Sequence, residues 1–203
     1  MKINIWDILL ILKNNPQIAY IYALLNSFFQ VFFPPYPGDT IIALLGYLSY
    51  LKIIKGGVVL SLIILSTFLS SSLLLYLSYN FSELIKNSLY FQRFFNLRQL
   101  ENFEKWYKKI GPFFIVISKF IPGINSIVII ASGLFKIDLK YSLISIGIAT
   151  IIHNSMLFIA GRIAGENIHL LKSLIKEYTS YVLLGIILIT LLYFLLKRYI
   201  NKE

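Results

Sequence analysis

The sequence predicts an all-α integral membrane protein, built from two inverted re-entrant helical hairpins, about three full transmembrane helices and amphipathic interfacial helices. Of its 203 residues, 58% are hydrophobic and 14% are charged, whereas soluble domains average about 25% charged residues. Two apolar stretches are interrupted by proline and glycine, which a simple spanning helix would not contain. We expect a single membrane domain over residues 1–203.

Three apolar runs predict the full spans, at 56–82, 141–162 and 178–196, and they carry no charge except Arg162 at the end of the second. Each is long enough to cross a hydrocarbon core about 30 Å thick, which takes roughly 20 helical residues. Charged residues stand at their ends, where a transmembrane helix meets the interface. These runs place the protein in a membrane, and we expect the plasma membrane of a prokaryotic cell.

The ends and the middle of the chain carry the charges that the spans lack. Residues 1–15 are predicted to form a short interfacial helix, residues 83–110 an amphipathic linker and residues 197–203 a basic tail. Lysine and arginine collect on cytoplasmic loops, so we expect the linker to lie in the cytoplasm. The second hairpin would then open from the cytoplasm and the first from the opposite side, which makes the two hairpins inverted. We attribute the net charge of +10 to membrane orientation and expect no nucleic-acid partner.

The first interrupted stretch, 17–51, contains FFPPYPGDT. Its helix breakers are Pro34, Pro35, Pro37 and Gly38. Non-helical backbone at membrane depth is tolerated where protein or a water-filled cavity satisfies it, so we expect a re-entrant hairpin with its tip here. Asp39 follows the breakers, and its position after Pro-Gly predicts a helix N-cap.

The second interrupted stretch, 111–136, contains KFIPGINS. It predicts a second hairpin that is broken at Pro122 and Gly123. Broken apolar stretches in corresponding halves of a chain are a pointer to a transport site, although two Pro-kinked helices are the simpler alternative. Asn125 and Ser126 are predicted to cap the half-helix that follows, whose N-terminus would suit an anionic headgroup.

Ionisable residues within these apolar stretches are the candidate functional groups. A charge at membrane depth is costly and needs a partner, so we expect Asp39 to pair with Lys119, either as a functional site or as a structural lock between the hairpin tips. His153 lies within a predicted span and is a candidate proton relay, or simply a histidine bonded to a neighbouring helix. With no cysteine and two histidines, we expect no metal and no cofactor.

With these motifs the chain resembles the DedA family of membrane proteins, also called the SNARE-associated Golgi or VTT-domain family. The resemblance covers residues 20–165 and rests on FFPPYPGDTIIALLG, on KKIGPFFIVISKFIPGINSIVIIASGLFKI and on the closing GRIAG. Asp39 matches the acid of the family pattern P-x-P-G-[D/E]. Lys119 and Asn125 stand where the second family motif has arginines, and Gln30 is one of the neutral residues where the family has an upstream membrane acid.

The resemblance implies a lipid translocase, flippase or scramblase that moves phospholipid or polyprenyl-phosphate headgroups between leaflets. Asp39, Lys119, Asn125 and Ser126 would then contact the anionic headgroup. A proton-coupled transporter or antiporter is the first alternative, although the replaced acid counts against coupling, and a non-transporting membrane scaffold is the second. No enzyme motif is visible in the sequence. Membrane lipids are the expected partners, and a homo-oligomer is compatible with the sequence.

Overall fold

The computed structural model describes residues 10–11, 14–33, 36–87, 104–105, 107, 109–121 and 123–166. All regular structure among these residues is helical. The helices are α1 (Pro16–Phe32), α2 (Gly38–Tyr50), α3 (Gly56–Asn80), α4 (Ser82–Lys86), α5 (Phe113–Ser118), α6 (Asn125–Leu134) and α7 (Leu139–Ile163), followed by a 3₁₀ turn at Ala164–Glu166.

Two of these helices, α3 and α7, are long and apolar enough to cross a membrane, and each has 25 residues. They occupy the first two apolar runs of the sequence. The predicted span at 178–196 and the basic tail at 197–203 lie outside the described residues, as do most of the predicted interfacial helix at 1–15 and most of the linker at 83–110.

Two breaks separate the shorter helices, and they fall at the proline- and glycine-containing motifs. Residues 33–37 separate α1 from α2, and residues 119–124 separate α5 from α6. Gly123 has φ +79°, in the left-handed region that glycine enters without steric cost. Pro34, Pro35 and Pro122 lie outside the described residues. The re-entrant and inverted placement of these helices stays a prediction.

The helix after each break ends in the same unusual way. Lys52 follows α2 and Lys136 follows α6, with φ of 58° and 53°, a left-handed conformation that is uncommon for residues other than glycine. In both, the lysine amide donates to the carbonyl three residues back, and the next isoleucine amide donates to the carbonyl five residues back, at 3.0–3.1 Å. A 25-residue helix follows each lysine, so the same order of elements occurs twice.

The short helix of each half packs mainly against the long helix of the other half. The short helix α2 of the first half packs most extensively against α7 of the second, and α6 of the second packs most extensively against α3 of the first. One apolar cluster includes Ile42, Leu45, Ile63 and Phe158, and another includes Leu75, Tyr107, Ile115, Ile129 and Ile146. Each half therefore buries its short helix only in the presence of the other half.

Glycines bring α2 and α7 into backbone contact. A Cβ atom on Gly46 would lie 2.1 Å from the carbonyl oxygen of Phe158, and one on Gly161 would lie 1.9 Å from that of Ala43. Helices approach this closely where small residues line the interface. Since Gly165 lies against Tyr50 further along, the two helices run in the same direction.

We predict that Gly161→Ala lowers the thermal stability of the purified protein, because its methyl group would overlap backbone atoms that cannot rotate away. Overpacking of this kind costs about 1–3 kcal/mol. Gly57→Ala is the matched control, since a Cβ atom there meets nothing within 4 Å and alanine favours a helix. Thermal unfolding in detergent measures both, and equal midpoints for the two variants would show that the α2–α7 contact is not tight.

Candidate functional site

The helix breaks bring three ionisable side chains together. Asp39 lies in the first turn of α2, Lys119 directly follows α5, and His153 lies in the middle of α7. Lys119 is 6% exposed and His153 is 7% exposed. The cluster therefore joins parts of the chain that are far apart in sequence and otherwise surrounded by apolar helices.

The Asp39 carboxylate contacts a different helix with each oxygen. Oδ1 accepts a hydrogen bond from Nε2 of Gln30 on α1, and Oδ2 lies 3.9 Å from Nε2 of His153 on α7. Lys119 attracts the same carboxylate electrostatically. Sequence reasoning named Asp39, Lys119 and His153 separately but missed Gln30, which it treated only as a neutral replacement.

Neither of the predicted helix caps is present. Pro37 occupies the N-cap position of α2, and no side chain caps that helix, so the prediction that Asp39 is an N-cap was wrong. Asp39 lies inside the first turn, where a carboxylate still interacts favourably with the helix dipole. Ile124 occupies the corresponding position of α6, also without a side-chain cap, so Asn125 and Ser126 do not cap that helix.

Ser126 instead connects the two breaks. Its hydroxyl donates to the backbone carbonyl of Val31, near the end of α1, at 2.6 Å. Asn125 lies beside it, with Oδ1 3.5 Å from the hydroxyl of Ser118, which donates at 2.9 Å to the backbone carbonyl of Ile115. The first turn of α6 is therefore held against the end of α1, close to the break that leads to Asp39.

A chain of hydrogen bonds connects the cluster to α3 and α1. Nδ1 of His153 lies 3.4 Å from Oδ1 of Asn154, and Nδ2 of Asn154 donates to Oγ1 of Thr67 at 3.1 Å. The Thr67 hydroxyl donates to Oγ of Ser27 at 3.0 Å, and Ser27 Oγ donates to backbone carbonyls at 3.3 and 3.4 Å. All four side chains are buried.

Several polar atoms near the first break are buried without a hydrogen-bond partner among the described residues. They are Oδ1 of Asn26, Oε1 of Gln30 and Oγ1 of Thr40. Leaving such an atom buried and unsatisfied costs about 1–3 kcal/mol. This region of the protein is therefore suited to polar groups that the described residues do not supply.

Three consecutive serines of α3 differ in their surroundings. Ser70 and Ser71 are buried within the helix packing, where small residues allow membrane helices to approach closely. Oγ of Ser72 is buried with no hydrogen-bond partner in the part of the chain that the structure describes. In the same part of the chain, no three His, Cys, Asp or Glu side chains group as metal ligands would.

The net charge of the cluster depends on how the acid Asp39 and the bases Lys119 and His153 are protonated. Each of the three groups lies within electrostatic range of the other two. A change in the protonation of any one of them therefore changes the electrostatic attraction that the site offers to an anion.

Comparisons with known proteins give bacterial relatives. The chain is 36% identical over 103 residues to a Lactococcus lactis protein named alkaline phosphatase-like protein, covering 49% of this chain and 48% of that protein. It is 29% identical over 107 residues to undecaprenyl phosphate transporter A of Staphylococcus aureus, covering 52% of this chain and 51% of the transporter. It is 24% identical over 135 residues to the uncharacterized membrane protein YbfM of Bacillus subtilis, covering 64% of this chain and 81% of that protein.

The Lactococcus and Staphylococcus matches span about half the length of those curated relatives. No family model matches the chain, and no solved structure matches it. The chain is similar to bacterial membrane proteins. Together with the two long apolar helices, this similarity supports a membrane location.

We predict that Asp39→Asn destabilises the protein by about 1.5–3 kcal/mol, because the carboxylate accepts a hydrogen bond from Gln30 and attracts the buried Lys119. Adding Lys119→Met in the same chain should recover part of this loss, since the two residues are coupled. Unfolding of each variant in mixed detergent micelles measures the effect.

Asp138→Asn is the matched control for this substitution. Asp138 is the exposed N-cap of α7, where Oδ1 accepts from the amide of Tyr141 at 3.1 Å, and asparagine caps helices about as well as aspartate. Its unfolding should be nearly unchanged. A loss in the double variant equal to the sum of the single losses would contradict the coupling.

Proposed function

We propose that the chain is a DedA-like membrane transporter that moves the phosphate headgroup of a polyprenyl-phosphate lipid carrier between leaflets. The observation that carries this proposal is the burial of Lys119 beside Asp39 and His153, where the two helix breaks meet. Ionisable residues within membrane helices are rare, and they mark substrate and proton pathways.

The chemistry of the cluster suits a phosphate. Lysine binds phosphate as a compact point charge, and the N-terminal turn of a helix offers backbone N–H groups to an anion. Asn125 and Ser126 lie in the first turn of α6, so headgroup contacts there would come from the backbone, while the serine side chain remains bonded to Val31. Protonation of His153 would add one positive charge to the cluster.

The comparisons support this choice of substrate class. One relative is named an undecaprenyl phosphate transporter, and its match covers about half of each chain. A phospholipid shares the phosphate but carries further headgroup groups, so we treat it as an alternative substrate to be separated by experiment. Two Lactococcus relatives are named alkaline phosphatase-like, which makes phosphate release a further quantity to measure.

The proposed movement leaves the lipid tails in the bilayer while the headgroup crosses the polar region at the breaks. The unsatisfied atoms of Asn26, Gln30 and Thr40 would supply hydrogen-bonding groups along this path. If the two hairpins are inverted, as the charge distribution predicts, one break is reached from each side of the membrane. Flipping then requires the headgroup to pass from one break to the other.

We predict that the purified protein in liposomes makes inner-leaflet polyprenyl phosphate reachable from outside, and that Lys119→Ala slows this. A soluble phosphatase added outside hydrolyses only outward-facing headgroups, so released phosphate reports movement between leaflets. Hydrogen bonds to charged groups contribute about 1.5–3 kcal/mol, which corresponds to a roughly 10- to 100-fold slower rate. Lys140→Ala removes an exposed lysine from the start of α7 and should leave the rate unchanged.

Two further arms and an empty-liposome control complete this assay. A headgroup-labelled phospholipid and an impermeant quencher test the alternative substrate, and liposomes without added phosphatase test phosphate release by the protein itself. If wild-type protein gives the same accessibility as empty liposomes for both lipids, passive lipid movement is ruled out. A scaffold role then becomes the better account, unless a proton gradient restores transport.

The contact between His153 and Asp39 favours proton coupling as the second candidate function. If protons drive the transport, a pH gradient across the liposome should accelerate lipid movement in one direction, and Asp39→Asn should remove that dependence. The measurement is the phosphatase-accessible fraction with the gradient in each direction and with none. Identical rates in all three conditions would show that the movement is not proton-coupled.

A further inference from the structure

The hydrogen-bond chain that runs from α1 to α7 has a fixed direction. It ends at backbone carbonyl oxygens, which only accept, so Ser27 must use its hydroxyl proton to donate there. Ser27 Oγ therefore accepts from Thr67, at 3.0 Å. Because the single hydroxyl proton of Thr67 is used in that bond, Thr67 Oγ1 accepts from the next group in the chain.

The next group is the side-chain amide of Asn154. Its Nδ2 donates to Thr67 Oγ1 at 3.1 Å, so its carbonyl Oδ1 must point the other way, toward Nδ1 of His153 at 3.4 Å. An amide oxygen accepts and does not donate. The neutral imidazole must therefore carry its proton on Nδ1 to complete the chain.

We propose that Ser27, Thr67 and Asn154 are positioning residues that hold neutral His153 in the Nδ1-protonated tautomer and present the bare Nε2 to Asp39. This inference rests on the hydrogen-bond geometry and does not require the proposed function. Nε2 lies 3.9 Å from Oδ2 of Asp39, so a lone pair and a carboxylate oxygen face each other whenever the ring is neutral.

That arrangement gives the site a place for one exchangeable proton. A lone pair and an ionised carboxylate repel, and a proton on either atom removes the repulsion. Among the described residues, Asp39 on α2 and Lys119 after α5 are the charged groups near the ring, while α1 and α3 contribute the uncharged Gln30 and Thr67. If the proposed function holds, this proton sets the cluster charge that the phosphate meets.

The tautomer can be read directly by nitrogen-15 NMR of the full-length protein in lipid bilayers, labelled at histidine. His169→Gln leaves His153 as the single histidine. Protonated and unprotonated ring nitrogens have widely different nitrogen-15 chemical shifts. The couplings of each nitrogen to the protons on Cδ2 and Cε1 distinguish Nδ1 from Nε2. At a pH where the ring is neutral, we expect the protonated signal at Nδ1 and the bare signal at Nε2.

Substitutions on α3 test whether the chain causes this state. Thr67→Val keeps the shape but removes the acceptor for Asn154, so the amide is free to turn and the proton should move to Nε2, where Asp39 accepts it. Thr67→Ser keeps the hydroxyl and should retain the wild-type spectrum. Ser61→Ala removes an exposed hydroxyl of the same helix that donates to the Gly57 carbonyl, and should also change nothing.

Two outcomes overturn the proposal. The first is a wild-type neutral ring protonated at Nε2, a result that needs no variant and stands even if Thr67→Val does not fold. The second is an Nδ1-protonated ring that stays unchanged in folded Thr67→Val, which would mean that the chain does not set the tautomer. Neither outcome depends on lipid movement, so a failure here is distinguishable from a failure of the transport assay.

Discussion

The close contact between α2 and α7 is the constraint on which the rest of the structure depends. Gly46 and Gly161 let the two backbones touch, and this contact sets Asp39, at the start of α2, beside His153 in the middle of α7. Packing between halves of the chain therefore positions the charges. Separating the helices by the width of one methyl group would lengthen the distance between Asp39 and His153 without changing either residue.

Hydrogen bonds connect the polar site to the neighbouring helices α1 and α3. Asp39 reaches α1 through Gln30, and His153 reaches α3 and α1 through Asn154, Thr67 and Ser27. Such networks offset the cost of placing polar groups in an apolar setting only when their members are satisfied. Three of the buried atoms that have no partner among the described residues, on Asn26, Gln30 and Thr40, lie near the first break, which is where we place the passage of the headgroup.

The sequence predicted the positions of both breaks and two long apolar helices, because proline, glycine and missing charges act locally. It also selected Asp39, Lys119 and His153, since ionisable residues are conspicuous in apolar stretches. It misassigned the caps, because α2 begins two residues earlier than an Asp39 N-cap would require and the Ser126 hydroxyl donates to the carbonyl of Val31. Gln30 and Thr67 were missed as site residues because their roles arise from packing between helices, which no local pattern encodes.

Binding selectivity tests the central claim, that the buried cluster binds a lipid phosphate. Native mass spectrometry of the protein with equal amounts of a polyprenyl phosphate and the matching polyprenol compares two lipids that differ only in the phosphate. We expect wild-type protein to retain the phosphate lipid at least about tenfold more strongly, which corresponds to about 1.4 kcal/mol, and Lys119→Met to lose this preference. Equal retention of the two lipids by wild-type protein would contradict the account.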